Sequence, residues 1–343
     1  MKRHLNTLFV STQGAFLAKD GAAVDVRIER ESRLRVPLLN LGGIVCFGRI
    51  SASPALMAGC AEAGVPVTYL TEHGRFLARV SGFTPGNVLL RREQYRRADD
   101  PTAAAAITSS IVAAKLANCR TVLLRAVRDS PGAAWRGVVE AAAARLARNV
   151  LQSRKGSTVD VIRGIEGDGA STYFSVFNHL VMAQADGFGF TKRSRRPPLD
   201  PMNALLSFLY AMLAHDARAA CEAAGLDSAV GFLHRDRPGR PGLALDMMEE
   251  FRPLLADRIA LSLVNRRQVA ADGFQRLESG GVVMSDATRR VVLTTYQERK
   301  QEIITHPFIG EKTTIGLLVH VQARLLARYL RGDMDAYPAF IWK

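Results

Sequence analysis

A histidine and three carboxylates lie close together in the segment GFLHRDRPGRPGLALDMMEEFRP, residues 231–253. The acidic residues Asp246, Glu249 and Glu250 are three and four positions apart, so a helix would place them on one face. Apolar residues surround them, and a carboxylate near buried surface needs a cation or a hydrogen-bond donor. The pattern could serve a chemical site around His234. It is also typical of a solvated helix face paired with arginines, next to a loop or capping histidine.

A second acidic segment, RGIEGDGASTYFSVFNHLV at residues 163–181, opens a predicted helix. Acidic side chains near a helix N-terminus complement the helix dipole. Glu166 is therefore either a capping charge or a ligand, and the residues alone leave both interpretations open.

The elements that must position these side chains follow two different patterns. Residues 5–80 form short β-branched runs separated by Gly, Asp and Ser, which predicts strands. One helix is expected among them, with Ser53 as its cap and Pro54 at its first position. From about residue 90 the apolar residues recur with a 3.6-residue period, which predicts helices, with a small hairpin at residues 274–285.

The predicted fold class is therefore α+β, with a small β-rich domain over residues 1–80 and a helical domain over residues 91–343. Gly, Thr, Pro and Asn cluster in residues 81–90, which suits a linker. Alternating βα units are absent from the pattern, so a Rossmann or P-loop enzyme is disfavoured. The tripeptide GDG at residues 167–169 lacks the pattern of a phosphate-binding loop.

Cysteine spacing and hydropathy indicate the cellular compartment in which the protein is expected. The four cysteines are widely separated and form no CxxC pair, which argues against a zinc ribbon and fits reduced thiols. The N-terminus has no apolar core of signal-peptide length, and no run approaches the ~20 apolar residues of a membrane span. We expect a cytoplasmic protein without a membrane partner.

The chain carries a formal charge of +14, which points to a polyanionic partner, either nucleic acid or an anionic membrane surface. Arginine and lysine are clustered, and a solvated face is the alternative interpretation of any one cluster. A candidate mobile loop lies at TKRSRRPPLDP. The predicted phosphate contacts in this loop and beside His234 are Lys192, Arg193, Arg195, Arg196, Arg235, Arg237 and Arg240.

Several separated motifs occur in a specific order along the whole chain. They are E-G-x-G-x-x-x-Y-F at 166–174, P-x-N-A-L-L-S-F-x-Y at 201–210, G-F-x-H at 231–234, L-A-L-D-x-M-E-x-F-R-P at 243–253 and the tail KQEIITHPFIGEKTTIGLLVHVQARLLARYLRG. In these motifs the chain resembles the integrase-endonuclease of CRISPR adaptation, the Cas-one family. The tail and TLFVSTQGAFLAKDG resemble most closely the form found with type I-C systems.

The resemblance implies a set of site residues. Glu166, His234 and Glu249 match the family's metal ligands, and Asp246 matches a further acidic catalytic position. Glu250 is adjacent but falls outside the motif position. Tyr173 and Asn203 match recurrent positions, which we expect to support the ligands or position DNA. One imidazole with carboxylates suits Mg²⁺ or Mn²⁺.

The function implied is a metal-dependent DNA endonuclease and integrase that inserts new spacers into CRISPR arrays. The attacking group would be water or the 3′-hydroxyl of a DNA fragment. The expected partners are double-stranded DNA, a second copy of the chain that pairs through the β-rich domain, and a small companion protein of the Cas-two family. The alternatives are a non-catalytic DNA-binding scaffold and a stand-alone structure-specific repair nuclease.

Overall fold

The computed structural model describes residues 6–71, 76–82, 87–156 and 158–342. The chain divides into two compact units, the first comprising Met1–Pro85 with Ser285–Lys300 and the second Gly86–Met284 with Gln301–Lys343. Of the predicted linker 81–90, residues 83–86 lie outside the described part, and a helix begins at Val88.

The described part of the first unit contains two four-stranded sheets, a short helix between strands, and most of a later helix. Its strands are β1 (Asn6–Val10), β2 (Phe16–Asp20), β3 (Ala23–Ile28), β4 (Glu31–Pro37), β5 (Leu41–Phe47), β6 (Ser51–Ala52), β7 (Val67–Leu70) and β8 (Phe76–Val80). One sheet has the order β1-β5-β7-β8, with β8 antiparallel to the parallel strands, and the other has the order β4-β3-β2-β6. The predicted β-rich N-terminal region is confirmed.

The strands of the first unit enclose an apolar core. Leu17, Val24, Ile44 and Val67 are all fully buried, as expected where β-branched and aliphatic side chains line facing strands. The helix α1 (Pro54–Glu62) has Pro54 at its first position. Its cap Ser53 accepts a hydrogen bond from the N–H of Leu56 at 3.2 Å, which confirms the predicted start of this helix.

Helices dominate the rest of the described chain. They are α2 (Val88–Asp99), α3 (Pro101–Asp129), α4 (Arg136–Lys155), α5 (Val159–Ser175), α6 (Ala185–Phe188), α7 (Pro201–Ala223), α8 (Gly242–Glu249), α9 (Arg258–Asn265), α10 (Asp286–Gln301) and α11 (Ile315–Leu330). A π-helical turn, Arg252–Asp257, joins α8 to α9. Two hairpins are formed by β9 (Phe274–Arg276) with β10 (Val282–Met284), which confirms the hairpin predicted at residues 274–285, and by β11 (Ile303–Thr305) with β12 (Lys312–Thr314).

Helix α10 belongs almost entirely to the first unit, whereas the sequence pattern assigns it to the helical domain of residues 91–343. The side chain of Gln297 donates a hydrogen bond to the backbone carbonyl of Thr7 at 2.5 Å. A helical period carries no information about which sheet or helix a segment packs against, so the unit to which this helix belongs could not be predicted from the pattern.

The longest helix, α3, is the centre of the second unit. It is long and apolar enough to pass a length-and-composition test for a membrane span, but 67% of its most apolar window is buried inside the fold. That burial is typical of a core helix. Helix α3 packs on α5 at Gly169, where an added Cβ atom would lie 2.2 Å from Cδ2 of Leu116. The two helices therefore approach closely just where Glu166 must meet residues of α3.

Candidate active site

Glu166 lies well inside helix α5. The helix begins at Val159, and the hydroxyl of Thr158 caps it by accepting a hydrogen bond from the N–H of Val161 at 3.3 Å. The interpretation of Glu166 as an N-terminal capping charge is therefore wrong. Its carboxylate instead reaches across to helix α3, where it forms an ion pair with Lys115.

The three carboxylates at helix α8 are all buried. Asp246 and Glu250 are fully enclosed and Glu249 is 2% exposed. A solvated helix face is therefore excluded for this cluster. Each buried carboxylate needs hydrogen-bond donors or cations around it, and the three carboxylates have different partners.

Asp246 is bound to the loop that carries His234. Its carboxylate accepts hydrogen bonds from the backbone N–H groups of Phe232, Leu233 and His234, at 2.5, 3.0 and 3.0 Å. The Oδ1 atom also lies 2.6 Å from Nδ1 of His234. The loop can wrap so closely because residue 231 is a glycine, where a Cβ atom would lie 2.8 Å from Oδ2 of Asp246.

These contacts fix the tautomer of His234. A carboxylate only accepts hydrogen bonds, so Nδ1 carries a proton, and in the neutral imidazole the lone pair is then on Nε2. A metal-binding histidine commonly donates its second ring nitrogen to a carboxylate in this way, which raises ligand basicity. Asp246, predicted as a catalytic residue, thus contacts the imidazole and its loop.

A cavity of about 360 Å³ brings the predicted ligands together. Glu166 from α5, His234 from the loop before α8, and Glu249 from the end of α8 all line it. Six arginines surround them, namely Arg163, Arg195, Arg235, Arg237, Arg240 and Arg252. The cavity therefore combines a few oxygen and nitrogen donors with a strongly positive wall.

Glu249 is the most strongly charge-stabilised acid of this cavity. Its Oε1 lies 3.1 Å from Nη2 of Arg252, and its Oε2 lies 2.7 Å from Nζ of Lys115. Burial acts to raise the pKa of Glu249, but the charges of Arg252 and Lys115 outweigh burial and lower it to about 2. Glu249 is thus a carboxylate at neutral pH, as a metal ligand must be.

Lys115 is a site residue that the sequence analysis missed. It is buried in α3 and contacts both Glu166 and Glu249. Burial lowers the pKa of its ammonium group, but the two glutamates raise it further than burial lowers it. A signal was present, because Lys115 is the one charged residue in the otherwise uncharged stretch between positions 101 and 119.

Glu250 points away from the cavity to the C-terminal segment. It accepts hydrogen bonds from the hydroxyl of Tyr337 at 2.5 Å, from the N–H of Phe340 at 2.6 Å and from Nε2 of Gln322 at 3.0 Å. Burial raises its pKa to about 7 despite these donors. The sequence motif favoured Glu249 over Glu250 as the metal ligand, which agrees with this position of Glu250.

The predicted phosphate contacts fall into four groups. Arg195, Arg237 and Arg240 line the cavity, and burial next to Arg237 lowers the pKa of Arg240. Arg235 also lines it but pairs with Asp160 at 2.9 Å. Lys192 and Arg196 are exposed on the loop before α7.

Arg193 is held inside the fold, unlike its neighbours. Its guanidinium donates to Oδ1 of Asn203 at 2.6 Å and to the hydroxyl of Ser207 at 3.0 Å, and it lies over the ring of Tyr210. Asn203 also accepts from the N–H of Ser194 and donates to the carbonyl of Lys192. Arg193 and Asn203 therefore anchor the loop, and the start of the predicted mobile loop is tied to α7.

Tyr173 lies behind the site in a buried aromatic cluster, with its ring 5.2 Å from Phe174 and 5.6 Å from Phe177. Next to it is Asp257, at the end of the π-helical turn. Asp257 accepts a hydrogen bond from the hydroxyl of Tyr210 at 2.6 Å, and burial raises its pKa to about 6. The π-helical turn thus directs Arg252 toward Glu249 and Asp257 toward the tyrosines. Such turns are frequent at functional sites.

The donor set fits a hard divalent cation. Two carboxylates and an imidazole are the oxygen and nitrogen ligands that Mg²⁺ and Mn²⁺ accept. Oε2 of Glu249 is buried and lies 2.7 Å from the Lys115 ammonium. No three His, Cys, Asp or Glu side chains of the described residues stand close enough together to enclose an ion in this arrangement. The space between the two carboxylates holds the ammonium group.

Comparison with known proteins decides the family. The family model for CRISPR associated protein Cas1 matches residues 8–298. The chain belongs to the Cas1 family. CRISPR-associated endonuclease Cas1 1 of Chlorobaculum tepidum is 52% identical over 343 residues, which is the whole of both chains. CRISPR-associated endonuclease Cas1 2 of Rhodospirillum rubrum is 50% identical over 348 aligned positions, again covering both chains completely.

Solved structures show that the fold is also that of Cas1. A Cas1 protein from Thermotoga maritima has a TM-score of 0.81 at 20% identity, with 97% of this chain and 99% of that chain covered. A casposase bound to its integration product has a TM-score of 0.84 at 20% identity, covering 99% and 95%. A chain of a Cas6-RT-Cas1–Cas2 complex has a TM-score of 0.82 at 24% identity, covering 99% of this chain and 36% of that longer one.

Proposed function

We propose that this Cas1 protein is a metal-dependent DNA endonuclease and integrase that inserts new spacers into CRISPR arrays. The observation that carries the proposal is the convergence of Glu166, His234 and Glu249, from three separate elements, on one arginine-lined cavity. A scaffold protein has no physical reason to bring these donors to one cavity. The 52% identity to a protein named as an endonuclease supports the same assignment.

Glu166, His234 and Glu249 would hold Mg²⁺ or Mn²⁺. An ion held there would supply Lewis-acid activation of a phosphodiester and would stabilise the charge that develops during in-line attack. Asp246 holds the imidazole of His234 with Nε2 free for the ion, as its 2.6 Å contact with Nδ1 requires. Arg252 keeps Glu249 ionised and oriented through the 3.1 Å contact between Nη2 and Oε1.

The arginines of the cavity wall would hold the nucleic acid. Guanidinium groups bind phosphate oxygens with two parallel N–H donors, and they offset the repulsion between phosphate and the site's own carboxylates. Arg195, Arg237 and Arg240 are the candidates, because each lines the cavity. The exposed Lys192 and Arg196 would extend the contact along the DNA backbone.

The attacking group would be a 3′-hydroxyl of an incoming fragment during integration, or water during hydrolysis. The partners would be double-stranded DNA, a second copy of this chain that pairs through the β-rich unit, and a companion protein of the Cas-two family. The occurrence of a related chain in a Cas6-RT-Cas1–Cas2 complex supports the companion. The assignment to type I-C stays a prediction from the sequence motifs.

An integration assay separates this function from the two alternatives. Purified protein is mixed with the companion protein, a DNA fragment with free 3′-hydroxyls and a plasmid bearing a CRISPR array, with Mn²⁺ or Mg²⁺. We expect joined products at the array that require both the metal and the companion. DNA binding without joining would support a scaffold. Cleavage of branched DNA that is indifferent to the companion would support a repair nuclease.

A further inference from the structure

Lys115 places an ammonium group between two carboxylates that come from different helices. Its Nζ lies 2.7 Å from Oε2 of Glu249 and also contacts Oε1 of Glu166. The side chain of Lys115 is only 7% exposed. Lys115 is an ion-pair partner that Glu166 and Glu249 share, so its ammonium group links α3 with α5 and α8 at this point.

The ammonium group also balances the charge of the cavity floor. Glu166 and Glu249 carry two negative charges, and among the described residues only Arg252 and Lys115 contact them as cations. A buried charge without a partner is strongly destabilising, so the buried Glu249 and the partly buried Glu166 beside it require nearby positive charge. Lys115 supplies it from inside the protein, at the position where a divalent ion bound by both carboxylates would supply it from solution.

Lysine is suited to this role. An ammonium group is a compact point charge on a long stem, so it can occupy the space between two carboxylates. It offers no lone pair and therefore cannot become a metal ligand. An ion that contacts both Glu166 and Glu249 would lie beside the carboxylates that Lys115 already contacts, so the ion and the ammonium group would repel each other there.

We propose that Lys115 is a positioning residue that acts as a built-in counter-cation, holding Glu166 and Glu249 in place and competing with the divalent ion for them. The inference rests on the proposed metal site. It predicts two opposite effects of removing the ammonium group. The metal-free protein loses stability because two carboxylates lose a partner, and the affinity for the divalent ion rises because a competitor is gone.

The test compares the wild type with K115M, which keeps the length of the side chain and removes its charge. Mn²⁺ affinity is measured by titration calorimetry, and the melting temperature is measured with chelator and with saturating Mn²⁺. We expect K115M to bind Mn²⁺ at least about tenfold more tightly, since removing one charge in contact with the ligands changes their electrostatic energy substantially. We also expect a lower melting temperature with chelator and a larger rise on adding Mn²⁺.

Two further variants make the result specific. K300M removes another buried lysine, in the first unit, and should leave Mn²⁺ affinity unchanged whatever it does to stability. K115Q keeps a hydrogen-bond donor for one carboxylate, so it replaces K115M if that variant does not fold, and should bind Mn²⁺ more tightly than the wild type.

The outcomes separate this inference from the proposed function. If the wild type binds Mn²⁺, E249Q abolishes that binding and both Lys115 variants bind it equally or more weakly, the metal site stands and the competition is overturned. A wild type that binds no Mn²⁺ at all would overturn both. A weaker affinity in K115Q and K115M would assign Lys115 to the metal-bound state instead.

Discussion

Nδ1 of His234 lies 2.6 Å from Oδ1 of Asp246, and the same carboxylate accepts three successive backbone N–H groups of the loop that carries the histidine. One buried side chain therefore fixes the path of the loop, the tautomer of the imidazole and the direction of its free nitrogen. The two residues are 12 positions apart in the chain, with His234 in a loop and Asp246 in the helix that follows it. It could not be predicted from either segment alone.

Replacing Asp246 by asparagine should test this relationship. In D246N one carboxylate oxygen becomes an NH₂ group, which must face an N–H donor of the loop or the Nδ1–H of His234. We expect strand transfer and Mn²⁺ affinity to fall about 10- to 100-fold, the usual loss when a group that orients a metal ligand is removed. Integration rate and Mn²⁺ titration measure the effect.

The control for Asp246 is His234 itself. H234A should lose more strand transfer than D246N, because it removes the donor and not only its support. The double variant should be no worse than H234A alone, since Asp246 acts through the histidine. Additive losses would show that Asp246 acts at the site directly.

The neighbouring glutamates Glu249 and Glu250 form a matched pair for mutation. Glu249 lines the cavity, whereas Glu250 binds Tyr337, Gln322 and Phe340. E249Q should reduce metal-dependent strand transfer by more than about 100-fold while DNA binding persists, because a ligand is removed and phosphate repulsion is relieved. Integration assays and DNA affinity measurements test both parts.

E250Q should behave in the opposite way. It replaces one acceptor oxygen by an NH₂ group, so the hydrogen bond with Tyr337 must be reversed or lost, at a cost of about 1 kcal/mol of stability. Its strand transfer per folded molecule should stay close to wild type. Chemical denaturation and the integration assay distinguish the two variants, and a loss of strand transfer in folded E250Q would assign the ligand role to both glutamates.

The sequence predicted the fold class and the candidate site residues for identifiable reasons. The strands of the first unit and the 3.6-residue period of α3, α5 and α7 are local properties, because the residues of each segment determine them. The ligand candidates came from motifs that keep their order along the chain. Lys115 was not predicted because its contacts depend on how α3 packs against α5 and α8. The stretch IVAAKLAN contains no information about which helices pack against it.

The burial of individual arginines could not be predicted from the sequence either. Arg193 and Arg195 are two positions apart in the same basic run, yet the first is held by Asn203 and Ser207 and the second lines the cavity. The composition of the basic run does not distinguish the two arginines. Only the position of α7 beneath the loop separates an anchoring arginine from one that faces the cavity.

Asp257 predicts a pH dependence of stability. Its pKa is raised from 3.8 to about 6 by burial, so the folded protein keeps its proton at a pH where the unfolded chain has lost it. The contribution of this group to stability is therefore present below pH 3.8 and is lost as the pH rises to about 6. A gap of about two pKa units corresponds to about 3 kcal/mol.

D257N should remove this dependence, because asparagine is neutral throughout and can still accept the hydrogen bond from Tyr210. The unfolding free energies of wild type and D257N are measured by denaturant titration between pH 4 and pH 7 in the presence of a chelator. We expect the variant to gain relative to the wild type as the pH rises through this range. Parallel curves would show that Asp257 is ionised in the folded protein, as in the unfolded chain.

The basic loop before α7 should separate DNA binding from metal binding. Lys192, Arg195 and Arg196 are exposed, so neutralising all three to glutamine removes up to three phosphate partners. We expect weaker DNA binding and a salt dependence whose log–log slope falls in magnitude by about 0.9 for each phosphate that these side chains neutralise in the wild type. Mn²⁺ affinity should be unchanged, since none of these exposed side chains offers a lone pair and, unlike Lys115, none forms an ion pair with Glu166 or Glu249 in the described part of the chain. R193Q is the contrasting variant, because Arg193 holds the loop on Asn203 and Ser207; it should lower stability and disturb the loop. Loss of Mn²⁺ binding in the triple variant, or an unchanged salt slope, would contradict a DNA-binding role for this loop.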